Sequence, residues 1–174
     1  MDSPLFRRRA FLGACAGAGG LLFMGGALAW LRGSAPAVDG LLALTPQEHR
    51  TLVALCRALF PATPEFPHNA DDADLARRFD LFLADEPPWN REDLKKALFL
   101  LEFSPVLAFR VSTFSRLDEP ARLLHFASWQ RSRVLLLRQA AAGFLRILSL
   151  MFYDDRAAWP AIGYEGPIHR AVTP

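Results

Sequence analysis

From Thr45 onward the apolar residues recur at three- and four-residue intervals, the period of helices lying on a shared core. Thr45-Pro46-Gln47-Glu48 is a capping box with proline at the first helical position. The helix it opens carries Leu52, Val53, Leu55, Cys56, Leu59 and Phe60 on one broad face, and Pro61 stops it. Three prolines make Pro61 to Asn69 a loop. A second helix is predicted from about Asp71 to Ala84. Asp71, Asp72 and Asp74 suit its N-terminus, and Leu75, Phe79, Phe82 and Leu83 form its face. A third starts near Asn90 and uses Leu94, Ala97, Leu98 and Leu101. Ser104-Pro105 is expected to break it and to open a fourth, with Leu107, Val111 and Phe114 in register. Val106 to Val111 also fits a short strand. A fifth covers Glu119 to Gln130, with Leu123, Leu124, Phe126 and Ala127 inward. Ser132 then caps a long helix to Tyr153. Its Leu135, Leu136, Gln139, Gly143, Phe144, Ile147, Leu148 and Met151 are apolar enough to predict a central position. The class is all-α, a single bundle of about five to six helices.

After Tyr153 the pattern changes. Pro160, Gly163, Gly166 and Pro167 forbid a continuous helix, so the C-terminus reads as an irregular tail. Trp159, Ile162 and Tyr164 are nevertheless large, and a solvated tail has no need of them. Each large aromatic buries on the order of 150–250 Å² when docked. Two destinations stay open: the chain's own bundle, or a partner surface whose interface residues would be Trp159, Gly163, Tyr164, Gly166 and Pro167.

The N-terminus is patterned differently again. Arg7-Arg8-Arg9-Ala10-Phe11-Leu12-Gly13 precedes an uncharged run from Ala10 to Leu31, 22 residues long. At the helical rise that run spans roughly 33 Å, enough for a hydrocarbon core. Glycines at 13, 17, 19, 20, 25 and 26 weaken it as an anchor, at about 1 kcal/mol each relative to alanine. Arg8 and Arg9 followed by Phe11 and Leu12 resemble a twin-arginine (Tat) export signal, an address read by the Tat translocase. Ala35-Pro36-Ala37 offers the small residues a signal peptidase accepts. The domain division is therefore residues 1–37 as signal peptide or retained membrane anchor, and residues 38–174 as the helical domain. The expected destination is the periplasm, with inner-membrane contact during export and through a leader that stays.

Composition alters one inference. The formal charge is +2, but Arg7, Arg8, Arg9 and Arg32 against Asp2 leave the remainder slightly acidic. The basic balance belongs to the address, and no nucleic-acid surface is expected. Of two cysteines, Cys15 lies in the leader. Cys56 stands in helical register with Leu52, Leu59 and Phe60, so it reads as a buried core thiol, with an intersubunit bridge as the sharper alternative.

Two stretches carry a family resemblance. The opening LTPQEHRTLVALCRALFP, from Leu44, and the stretch LMFYDDRAAWPAIGYEGP, from Leu150, are similar to the two ends of the gluconate 2-dehydrogenase subunit 3 family. Phe152, Tyr153, Trp159, Gly163, Tyr164, Gly166 and Pro167 match its C-terminal signature. Glu165 stands where proline is more usual, and the middle of the chain matches only in helical character. The resemblance implies a non-catalytic small subunit of a periplasmic, membrane-associated dehydrogenase of sugars, sugar acids or polyols. FAD and the chemistry would belong to the large catalytic subunit, which travels bound to this one. A multi-haem cytochrome c subunit would take the electrons.

The residues themselves fit an accessory role. The chain has neither CxxCH for haem nor GxGxxG after a strand for a dinucleotide. His49, His68, His125 and His169 fall at no metal-ligand spacing, so neither cofactor nor metal is expected on this chain. His68 with Asp71 and Asp72 is the nearest to a metal cluster. Asp118-Glu119 and Asp154-Asp155 read as caps or solvated turns rather than catalytic pairs. Two alternatives remain: a free-standing exported or tethered bundle without a flavin partner, and a self-sufficient enzyme.

Overall fold

The capping box at Thr45 is formed in the computed structural model, which describes residues 35–166 apart from positions 109 and 111. Glu48 N donates to Thr45 Oγ1 (3.3 Å), and Thr45 N donates to Glu48 Oε2 (2.8 Å). Helix α1, Pro46–Leu59, follows. Next come α2 (Leu75–Asp85), α3 (Pro88–Leu107), α4 (Glu119–Gln130) and α5 (Leu135–Tyr153). Short 3-10 turns lie at Phe114–Arg116, Arg156–Ala158 and Pro160–Ile162. The described residues are all-α. Pro36–Pro174 form a compact unit separate from Met1–Ala35. Arg8, Arg9, Phe11, Leu12 and Pro167 lie outside the described residues, whereas Ala35 and Ala37 fall in an irregular stretch ahead of α1.

The central helix is α1, not the last helix as its apolar composition predicts. α1 packs against α2, α3, α4 and the Phe114 turn, whereas α5 packs mainly on α2 and α4. Leu52 and Leu55 of α1, Phe79 of α2, Leu98 of α3, Phe126 of α4 and Phe144 of α5 are all fully buried. Each such side chain contributes roughly 1.5–3 kcal/mol over its exposed state. Among the described residues, the buried core runs from Leu44 to Ala158. On α5 the buried stripe is narrow: Ala141, Phe144, Leu148 and Phe152. Leu135, Leu136 and Gln139 face solvent. Ser132 does not cap this helix; its hydroxyl accepts from Val134 N (3.1 Å) in a local turn, and the helix begins at Leu135.

Three other expectations are corrected. Helix α2 starts at Leu75 rather than Asp71, because the acids close a turn of their own. Asp71 N and Asp72 N donate to Asn69 Oδ1, Asn69 Nδ2 donates to Asp72 Oδ2 (2.7 Å), and Asp74 sits in the left-handed region at φ 44°. Helix α3 starts at Pro88 and runs through Pro105 to Leu107; among the described residues no helix or strand opens between there and the Phe114 turn, and Val111 lies outside them. Proline cannot donate to the carbonyl one turn back. Here the Ser104 hydroxyl donates to Leu101 O instead (3.0 Å), so the breaker arrives with its own repair. On α4, Leu123 and Leu124 are exposed, and Phe126 and Trp129 are the buried pair.

Two buried carboxylates fasten the bundle. Asp80 of α2 is fully buried and accepts Leu42 N (2.8 Å), Ala43 N (3.0 Å) and Leu44 N (2.8 Å). Arg77 pairs with Asp80 (3.6 Å) and hydrogen-bonds Gly40 O. Burial alone would push the Asp80 carboxyl up. The three amides and the Arg77 guanidinium outweigh it, and the group titrates below the usual aspartate range. Glu102 of α3 accepts Thr51 Oγ1 (3.0 Å), Ser115 N (3.0 Å) and Ser115 Oγ (2.7 Å), tying the Phe114 turn to α1.

Candidate functional site: an aromatic bracket at the C-terminal end of α5

The aromatic tail folds back on the end of α5 and still leaves part of itself open. Asp154 ends the helix and pairs with Arg78 of α2 at 2.8 Å. Asp155 Oδ1 accepts Ala157 N (3.0 Å) and caps the next turn. Asp118 caps α4 in the same way through Ala121 N (2.9 Å), so both acidic pairs supply helix caps. The chain then turns, and Trp159 Nε1 donates to Tyr153 O (3.0 Å). Tyr164 N donates to Trp159 O (3.0 Å), and the two rings meet edge to face at 5.0 Å.

Two glycines make this possible. Gly163 sits at φ 67°, which reverses the chain after Pro160–Ile162. Gly166 sits at φ 108°, and a Cβ there would lie 3.1 Å from the Trp159 ring. The open side is a groove lined by Ser149, Leu150, Tyr153, Asp154, Trp159 and Tyr164. Leu150 is 66 % exposed and Tyr164 45 %. Of the sequence-predicted interface residues, the structure brings Trp159, Gly163, Tyr164 and Gly166 together. Ser149, Leu150, Tyr153 and Asp154 lie outside that set. The Leu150, Tyr153, Asp154 spacing is their signal, since it lines up two residues of α5 and its C-cap on one outer side.

The remaining candidates separate. His68 lies against α5, stacked on Phe152 (5.3 Å between centroids) with Nε2 3.4 Å from Asp155, and Asp71 instead binds Arg57. Among the described residues no three of His, Cys, Asp and Glu converge on a metal position. Cys56 is buried and its thiol is pushed up by burial, which removes the intersubunit bridge as an option. His125 Nε2 lies 2.7 Å from Ser104 Oγ. The Ser104 hydroxyl also reaches Leu101 O (3.0 Å), so it lies within hydrogen-bond distance of both groups. Burial and the Arg110 charge hold His125 below the usual histidine range. Compared with protein-family models, curated proteins and solved structures, the chain matches none.

The bracket makes a stability prediction. Tyr164→Ala should change the unfolding free energy by no more than about 0.5 kcal/mol, as at an exposed surface. Trp159→Ala should cost about 2 kcal/mol, since its ring and Nε1 proton are both engaged. Urea denaturation of the two variants checks the order.

Proposed function

We propose that this chain is the non-catalytic small subunit of an exported FAD-dependent dehydrogenase acting on sugars, sugar acids or polyols. It carries the twin-arginine address for the pair, escorts the folded flavoprotein to the periplasm, and stays as a stabilising subunit. FAD belongs to the partner, and a multi-haem cytochrome c subunit would complete the complex. The observation that carries the reading is the half-exposed Trp159–Tyr164 bracket, whose open groove continues onto Leu150 and Tyr153. Pre-fixed aromatics beside an apolar groove are what an interface anchor requires, because little side-chain freedom is lost on docking. Binding only the native flavoprotein stabilises it by mass action.

The test is co-purification from the native host, read by a flavin spectrum, followed by co-expression with the flavoprotein so recovered. Arg8→Lys with Arg9→Lys is expected to leave both proteins in the cytoplasm, read as flavin absorbance in the periplasmic fraction. Tyr164→Ala is expected to weaken co-purification at least tenfold while its melting temperature stays put. If the flavoprotein reaches the periplasm despite the lysine pair, the escort role is wrong. If no flavoprotein co-purifies at all, a free-standing bundle is the better reading.

A further inference from the structure

A second exposed surface lies at the other end of α5, and its chemistry is different. Val134, Leu135 and Leu136 are 56 %, 56 % and 62 % exposed in succession, while Leu137 turns inward onto the core. Around them stand Arg131, Arg133 and Arg138, all exposed. From Pro120 to Tyr153 the chain carries Arg122, Arg131, Arg133, Arg138 and Arg146 and no aspartate or glutamate. The ion pairs among the described residues all use cations before position 97, from Arg50 to Lys96. Arg131 and Arg138 bond the carbonyls of Ala127 (3.4 Å) and Ser132 (2.6 Å), which holds them around the turn without neutralising them.

We propose that this α4–α5 corner docks on an anionic lipid membrane. Val134, Leu135 and Leu136 enter the headgroup–acyl boundary, and Arg131, Arg133 and Arg138 engage the lipid phosphates. An exposed aliphatic cluster ringed by uncompensated cations is the pattern of an interfacial anchor. Aliphatic Val and Leu are under-represented in protein hot spots, which favour the Trp and Tyr found at the opposite end of the helix. Helix α5 is also long and apolar enough to cross a bilayer, yet Phe144, Leu148 and Phe152 are fixed in the core. It therefore lies on the surface of the domain and can offer only its end. The proposal is independent of the escort reading.

The experiment is co-sedimentation of the chain from Val38 onward, which carries every buried core residue among those described, with two kinds of vesicle. One is phosphatidylcholine alone; the other is equal parts phosphatidylcholine and phosphatidylglycerol. Partition is expected into the mixed vesicles only. Arg131→Gln, Arg133→Gln and Arg138→Gln together should lower it on the order of a hundredfold, at about fivefold per basic residue. Leu135→Ser with Leu136→Ser should lower it at least tenfold. Both sets are exposed, so unchanged melting temperatures are the check on folding. Absent partition of the parent chain, equal partition into both vesicles, or unaltered partition of both variants would overturn the proposal. Protection of residues 134–136 from hydrogen exchange by a protein partner, and not by vesicles, would assign the corner to a protein interface instead.

Discussion

Asp80→Ala is expected to cost about 3–5 kcal/mol of unfolding free energy, the scale for breaking a buried charge arrangement on one side. The substitution strips the acceptor from Leu42, Ala43 and Leu44 at once. Leu42 is exposed and its amide can turn to water, but Leu44 is buried and its amide cannot. The Arg77 guanidinium loses its partner as well. Asp80→Asn should cost less, since the amide oxygen still accepts from the segment. Urea denaturation at neutral pH gives the magnitude, and a loss under about 1 kcal/mol would show that the clamp is not structural. The pH dependence adds a sign. Asp80 titrates below its ordinary value in the folded state. Its contribution is therefore complete above the unfolded aspartate value near ~3.9 and disappears as pH falls through the lower folded one. The parent should lose stability in that window, and the alanine variant should lose correspondingly less.

Phe152→Ala should be about as severe, at about 3–5 kcal/mol for a buried phenylalanine. Its ring stacks on Phe60 at 4.5 Å and also meets His68 (5.3 Å) and Phe66 (5.7 Å). It thus joins the end of α5 to the end of α1 and to the proline loop between α1 and α2. At a few degrees per kcal/mol, the melting temperature should fall by ~10 °C. The loop from Pro61 to Asn69 should become the first site of proteolytic cleavage, since its aromatic floor is gone. Cleavage unchanged in rate and place would mean the loop holds itself. Phe152→Leu, which keeps most of the apolar volume, should be the milder variant.

Local chemistry in the chain made some of this legible. Thr45 and Glu48 announce α1 because both halves of a capping box are within four residues of each other. The start of α4 at Glu119 follows from the Asp118 cap and Pro120 in the first turn. What could not be read depended on partners far along the chain or on a neighbour's compensation. Pro105 alone means a break; only the path of the Ser104 hydroxyl shows that the helix continues. Asp71, Asp72 and Asp74 look like a helix start until Asn69 draws their amides into a turn. The apolar run of α5 predicts a central helix, because composition does not distinguish residues facing a core from those facing another surface. On that ground Leu123, Leu124, Leu135 and Leu136 read as inward, and all four are exposed. The site divides similarly. Trp159, Gly163, Tyr164 and Gly166 stand out in sequence because glycines and aromatics alternate in a region that cannot be helical. The Leu150 and Tyr153 wall of the groove sits inside an ordinary-looking helix.

The Asp80 clamp also fixes the length of a leash. It seizes the backbone at Leu42, so only Val38, Asp39, Gly40 and Leu41 separate Ala37 from the folded body. Gly40 is itself held through Arg77, which shortens the free part further. Even fully extended, four residues reach about 14 Å. A peptidase cutting after Ala37 must work almost against the domain wall.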